Sequence, residues 1–153
     1  MQINVLIEYG EEDIAPLRLE SLIEFVLKYM KCPANTDVTL TFVTDERIHE
    51  LNRDYRGMDK PTDVLSFECD NIPFDEEVFD EAAEYELGDI VIATDVAKAQ
   101  TAEFGTTLEE EVTLLTVHGL LHLCGYDHME DEEAEEMEAL EDEIIAAWAR
   151  ERA

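Results

Sequence analysis

The chain opens on an alternation. Ile3, Val5 and Ile7 stand among polar neighbours, so residues 1–8 predict a strand. Residues 10–13 read as a turn. The period then lengthens: Leu19, Leu22, Ile23, Val26, Leu27 and Met30 recur at helical spacing. Pro16 suits a first helical turn, and the helix is expected to run to about residue 31, ahead of Pro33. Val38, Leu40 and Phe42, separated by threonines, predict a second strand. Thr44 is placed to cap a short helix over 45–54, with acids in its first turn and Ile48 and Leu51 facing inward. Gly57 and Pro61 punctuate a loop, and 62–68 reads as a third strand. Residues 71–86 are rich in acids, contain Pro73 and hold no sustained period, which predicts an exposed excursion. Gly88 and Asp89 read as a turn before a fourth strand over 89–93. Thr94 is the expected cap of a helix over 94–104, ended by Gly105. Thr107 and Glu110 have capping-box spacing, and Val112, Leu115, Leu120 and Leu123 form the buried side of the helix they start. Met137, Leu140, Ile144 and Trp148 mark the inward stripe of a final helix, with the acids that crowd 130–138 expected on its solvated face.

The resulting order, β-α-β-α-β-β-α-α-α, predicts an α+β or mixed α/β fold in one domain spanning 1–153, a four-stranded mixed sheet covered by helices. Strands three and four follow one another without a helix, so at least one pairing is expected to be antiparallel.

Chemistry concentrates in two stretches. His118, His122 and His128 are three of the chain's four histidines and fall within eleven residues. Residues four apart share a helix face, so His118 and His122 can aim two imidazoles at one point. Gly125 stands where a left-handed helix cap favours glycine, and the turn it makes can return His128 to that point. Three neutral imidazoles leave a tetrahedral metal one open position, the ligand set of a catalytic zinc. The spacing is similar to the metzincin protease motif H-E-x-x-H-x-x-G-x-x-H, except that Gly119 replaces the glutamate that serves there as general base. Asp127, beside His128, can orient a ligand or cap the turn; Asp63 is a second candidate acid or a strand-start carboxylate. Cys124 lies two residues from His122, about 200° round a helix, and is expected to be a buried thiol pointing away from the metal. The second stretch gathers Arg53, Arg56 and Lys60, three of ten basic residues, within eight positions. Surface pairing with acids is the plain alternative for such a cluster. Tyr55 and Tyr126 can stack on bases or simply pack, and His49 reads as ordinary surface.

Charge changes this picture. Forty acidic residues against ten basic ones give a net charge of −30, which disfavours nonspecific attraction to nucleic acid or anionic lipid and suits a basic partner. No apolar run approaches a membrane span, and no leading basic-then-apolar segment marks a signal peptide, so a cytoplasmic protein is expected. Cys32, Cys69 and Cys124 are an odd set without a C-x-x-C pair, which argues against a disulfide framework.

Four segments together resemble the YbeY family of bacterial rRNA maturation factors. They are L-N-x-x-Y-R at 51–56, D-K-P-T-D-V-L-S-F at 59–67, L-G-D-I-x-I at 87–92 and H-G-x-L-H-L-x-G-Y-D-H at 118–128. The resemblance implies an α+β fold with a metzincin-like zinc site on a helix and the following turn. It implies one Zn²⁺ per chain on His118, His122 and His128. It also implies a single-strand-specific, metal-dependent endoribonuclease acting in maturation of the 3′ end of 16S ribosomal RNA and in ribosome quality control. Arg56 is the implied essential arginine, catalytic and substrate-binding, and Lys60 is expected to steer the RNA backbone. Ribosomal RNA is the expected substrate, with a small-subunit ribosomal protein or ribosome-associated GTPase as delivering partner, which would compensate for the acidity.

Overall fold

The computed structural model describes residues 1–68, 85–126 and 131–152. In chain order the elements are β1 (Gln2–Ile7), α1 (Glu11–Ile14), α2 (Leu19–Tyr29), β2 (Thr36–Val43), α3 (Asp45–Arg56), β3 (Val64–Glu68), β4 (Tyr85–Ala93), α4 (Thr94–Phe104), α5 (Leu108–Leu123) and α6 (Asp131–Arg152). The strands form one sheet in the order β1-β2-β4-β3. β1 runs parallel to β2 and β2 parallel to β4, while β3 pairs antiparallel with β4 along the edge.

Strand alternation sends side chains to two faces. Val38, Leu40 and Phe42 of β2 and Ile90 and Ile92 of β4 point into the larger core, against Leu22, Ile23, Val26 and Leu27 of α2 and Val112, Leu120 and Leu121 of α5. Met137 and Ile144 bring α6 onto the same core, and Trp148 meets Phe25 of α2 with ring centroids 5.3 Å apart. On the other face Val43, Leu65, Val91 and Ala93 pack with Ile48 of α3 in a smaller core.

The caps at Thr44 and Thr107 form as the sequence predicts. Thr44 Oγ1 accepts the Arg47 amide at 3.2 Å. Thr107 and Glu110 make a full capping box, with reciprocal bonds of 3.0 and 3.1 Å. Three expectations need correction. The turn expected over 10–13 followed by a helix from Pro16 is arranged otherwise: α1 occupies the expected turn, Ala15–Leu17 is a 3-10 turn, and Arg18 adopts a left-handed conformation before α2 begins at Leu19. Pro16 cannot continue α1, because its ring would collide with the Glu12 carbonyl in an α-helix, so the chain restarts after it. Gly88 and Asp89 are not a turn but lie inside β4, which extends back to Tyr85. The β2–β4 register shifts between Asp37 and Val38, opposite Gly88, where φ is 145° and a Cβ would lie 2.3 Å from the Phe67 carbonyl oxygen. The glycine therefore marks a sheet irregularity and a close approach. Thr94 is the first residue of α4 rather than its cap, and its hydroxyl donates to the Tyr9 carbonyl at 2.9 Å. The excursion expected over 71–86 falls largely outside the described residues.

Candidate metal centre

α5 crosses beneath the β3–β4 edge of the sheet and carries His118 and His122 on one half-buried face. Their Nε2 atoms lie 3.0 Å apart. Each Nδ1 faces an acceptor. His118 Nδ1 meets the Glu141 carboxylate of α6, and His122 Nδ1 donates to the Tyr126 carbonyl at 2.9 Å. A neutral ring so bonded keeps its proton on Nδ1 and presents the Nε2 lone pair. Both lone pairs therefore converge. Two bonds of 2.0–2.1 Å at a tetrahedral angle place zinc-bound nitrogens about 3.3 Å apart, close to what is found. The donor set fits zinc in kind and in spacing. His128 and Asp127 lie outside the described residues.

The turn after α5 explains how the second imidazole is held. Gly125 has φ 102°, the Gly125 amide bonds to the His122 carbonyl at 3.0 Å, and the Tyr126 amide bonds to the Leu121 carbonyl at 3.0 Å. This is a complete Schellman closure. It fixes the Tyr126 carbonyl under the His122 ring, so the helix stop and the ligand orientation are one structure.

Gly119 is buried against the sheet, and a Cβ there would meet Ile90 Cγ2 at 2.9 Å. Any side chain at 119 therefore needs the Ile90 side chain to shift. The position that holds the protease glutamate is here a packing contact, and the Gly119 carbonyl accepts a long 3.4 Å bond from Ser66 Oγ on β3.

The basic stretch occupies the end of α3 and the connection to β3. Arg53 pairs with Asp54 at 3.0 Å, the plain surface reading. Arg56 is exposed on the last turn of α3 and carries no hydrogen bond or ion pair among the described residues. Lys60 is also exposed, and its carbonyl accepts the Asn52 side-chain amide at 2.8 Å. Asp63 is occupied structurally. Its Oδ1 accepts the Val64 amide at 2.8 Å and its Oδ2 accepts Gln100 Nε2 at 3.1 Å. His49, expected to be ordinary surface, instead contacts Asp59 at 2.7 Å and braces the same connection. Tyr55 is 71% exposed and edge-on to Phe67 at 5.4 Å, whereas Tyr126 packs partly into the larger core.

A family model described as Endoribonuclease YbeY matches residues 7–149. The chain belongs to the YbeY family. A relative named Endoribonuclease YbeY from Enterococcus faecalis is 43% identical, with 88% of each chain covered. One of the same name from Thermoanaerobacter is 40% identical, covering 94% of this chain and 96% of that one. The solution structure of a Thermotoga maritima protein superposes with a TM-score of 0.57 at 29% identity, covering 98% of this chain and 93% of the other.

Two residues of this YbeY-family site were not assigned from the sequence. Glu141 lies beyond the acidic run of 130–138 and carries no sequence-based assignment, yet it is 7% exposed and faces His118. Its position gave the signal: it lies four residues after Met137 and three before Ile144, within the apolar stripe itself. Asn52 is 1% exposed and holds the Arg56–Lys60 connection through its side-chain NH2, while its backbone carbonyl accepts the Met58 amide at 3.2 Å. An asparagine four residues after the inward Ile48 is the corresponding sign.

Proposed function

We propose that this chain is a metal-dependent, single-strand-specific endoribonuclease that acts in maturation of the 3′ end of 16S ribosomal RNA and in ribosome quality control. The observation that carries the reading is the pair of Nε2 lone pairs set 3.0 Å apart by acceptors on both Nδ1 atoms. His118, His122 and His128 hold one Zn²⁺ per chain. When bound, zinc supplies a Lewis acid for the phosphoryl oxygens and lowers the pKa of water toward about 7. Arg56 supplies a permanently charged planar fork for the charge that builds on those oxygens, and no ion pair among the described residues occupies it. Lys60 steers the backbone from the same connection. Glu141 and the Tyr126 carbonyl hold the two imidazoles in the tautomer that leaves Nε2 free for a cation.

The family membership and the four matching segments support the RNA substrate. The net charge of −30 supports delivery by a basic small-subunit ribosomal protein or a ribosome-associated GTPase rather than capture of RNA unaided, in the cytoplasm. The same charge favours one second reading, a zinc-stabilised assembly factor without catalysis. A protease reading lacks support, because position 119 has no room for the base.

Metal-loaded protein is incubated with ribosomal RNA precursor carrying an unprocessed small-subunit 3′ end, beside Arg56→Ala at equal metal content. Cleavage near the mature end is expected, falling on the order of a hundredfold or more in the variant. No cleavage, even with intact ribosomal particles present, favours the assembly factor.

A further inference from the structure

Cys32 and Cys124 are 92 residues apart in sequence, yet their Sγ atoms lie 3.9 Å apart. Each closes an element. The Cys32 amide bonds to the Leu27 carbonyl at 2.9 Å, just past α2, and Cys124 caps α5 with its amide shared between the Leu120 and Leu121 carbonyls. Both are free thiols and both are half-buried, so a small oxidant can reach them. With both backbones anchored, the sulfurs need to close from 3.9 Å to about 2.05 Å, a distance within reach of side-chain rotation.

We propose that Cys32 and Cys124 are a reversible disulfide site, oxidised by hydrogen peroxide, that ties the end of α2 to the end of the metal-binding helix. Cys32 attacks the peroxide oxygen, the O–O bond breaks, and one water leaves as the sulfenic acid forms. Cys124 then attacks that sulfur, the S–O bond breaks, and the second water leaves with the disulfide complete. Two electrons pass from the thiols to the peroxide, and the two thiol protons end in water. The contact with Cys124 lowers the Cys32 thiol, which favours it as the first to react. A dithiol reductant reverses the bond by exchange.

The test uses full-length Cys69→Ser protein, in which these are the only two cysteines. It is treated with hydrogen peroxide, alkylated with N-ethylmaleimide, weighed intact and mapped after digestion. The expected product is a monomer about 2 Da lighter, with neither thiol alkylated and one cross-linked peptide pair containing Cys32 and Cys124. Dithiothreitol should restore both thiols. Wild-type protein mapped in the same way should give the same peptide pair, which guards against an effect of the substitution. Two alkylated thiols after treatment, oxygen added to either sulfur without a cross-link, or a covalent dimer would each overturn the proposal.

Discussion

Glu141 shows how much a single side chain can decide at this centre. It is a buried carboxylate, and its hydrogen-bond partner among the described residues is the Nδ1 of His118. The contact favours the tautomer with the proton on Nδ1 and leaves the Nε2 lone pair facing His122. Glu141→Ala is expected to weaken zinc affinity 10–100-fold, measured by competition with a chromogenic chelator. Glu141→Gln keeps the shape and a carbonyl acceptor, so it should lose less than the alanine variant; equal losses would show that the charge alone matters. At the same scale, the Asp63 carboxylate accepts the Val64 amide and Gln100, the structural alternative for this residue. Asn52 works further from the chemistry, fixing the backbone from which Arg56 and Lys60 project.

Between elements, α5 packs against β4 at Gly119 and Ile90, where an added Cβ would lie 2.9 Å from Ile90 Cγ2. Adding a methyl group there is a small-to-large change in a full core. Gly119→Ala is expected to cost about 1–3 kcal/mol in urea unfolding of the metal-free protein. A variant as stable as the parent would mean that helix and strand separate more easily than the 2.9 Å approach implies. This contact also marks where sequence reading stops. Periodicity located every strand and the long helices, because alternation and the 3.6-residue repeat follow directly from burial on one side. It missed the break at Arg18 and the true start of β4, where a proline and a glycine act through backbone geometry rather than through hydrophobic pattern. The approach of His118 to His122 was legible because both sit on one face of one helix. Glu141 was not, because its partner comes from another helix 23 residues away and the acids around it hide the one that turns inward.

The whole molecule carries 40 acids against 10 bases, and most of the ion pairs among the described residues are solvent-exposed, of the kind that contributes little. Self-repulsion should therefore be a global term. Raising NaCl from about 0.1 M to about 1 M shortens the screening length from about 10 Å to about 3 Å, and the thermal midpoint is expected to rise. A flat or falling midpoint would show that the acids are spaced widely enough not to matter. The strand order has a further consequence, in time rather than in space. β2 lies between β1, made before it, and β4, whose Ala93 pairs with Val43. At 5–20 residues per second that partner is synthesised roughly 2.5–10 s later. Through that interval a nascent chain holds β1 and β2 with an open edge, and only after Ala93 is made can the sheet that α5 needs as its floor close.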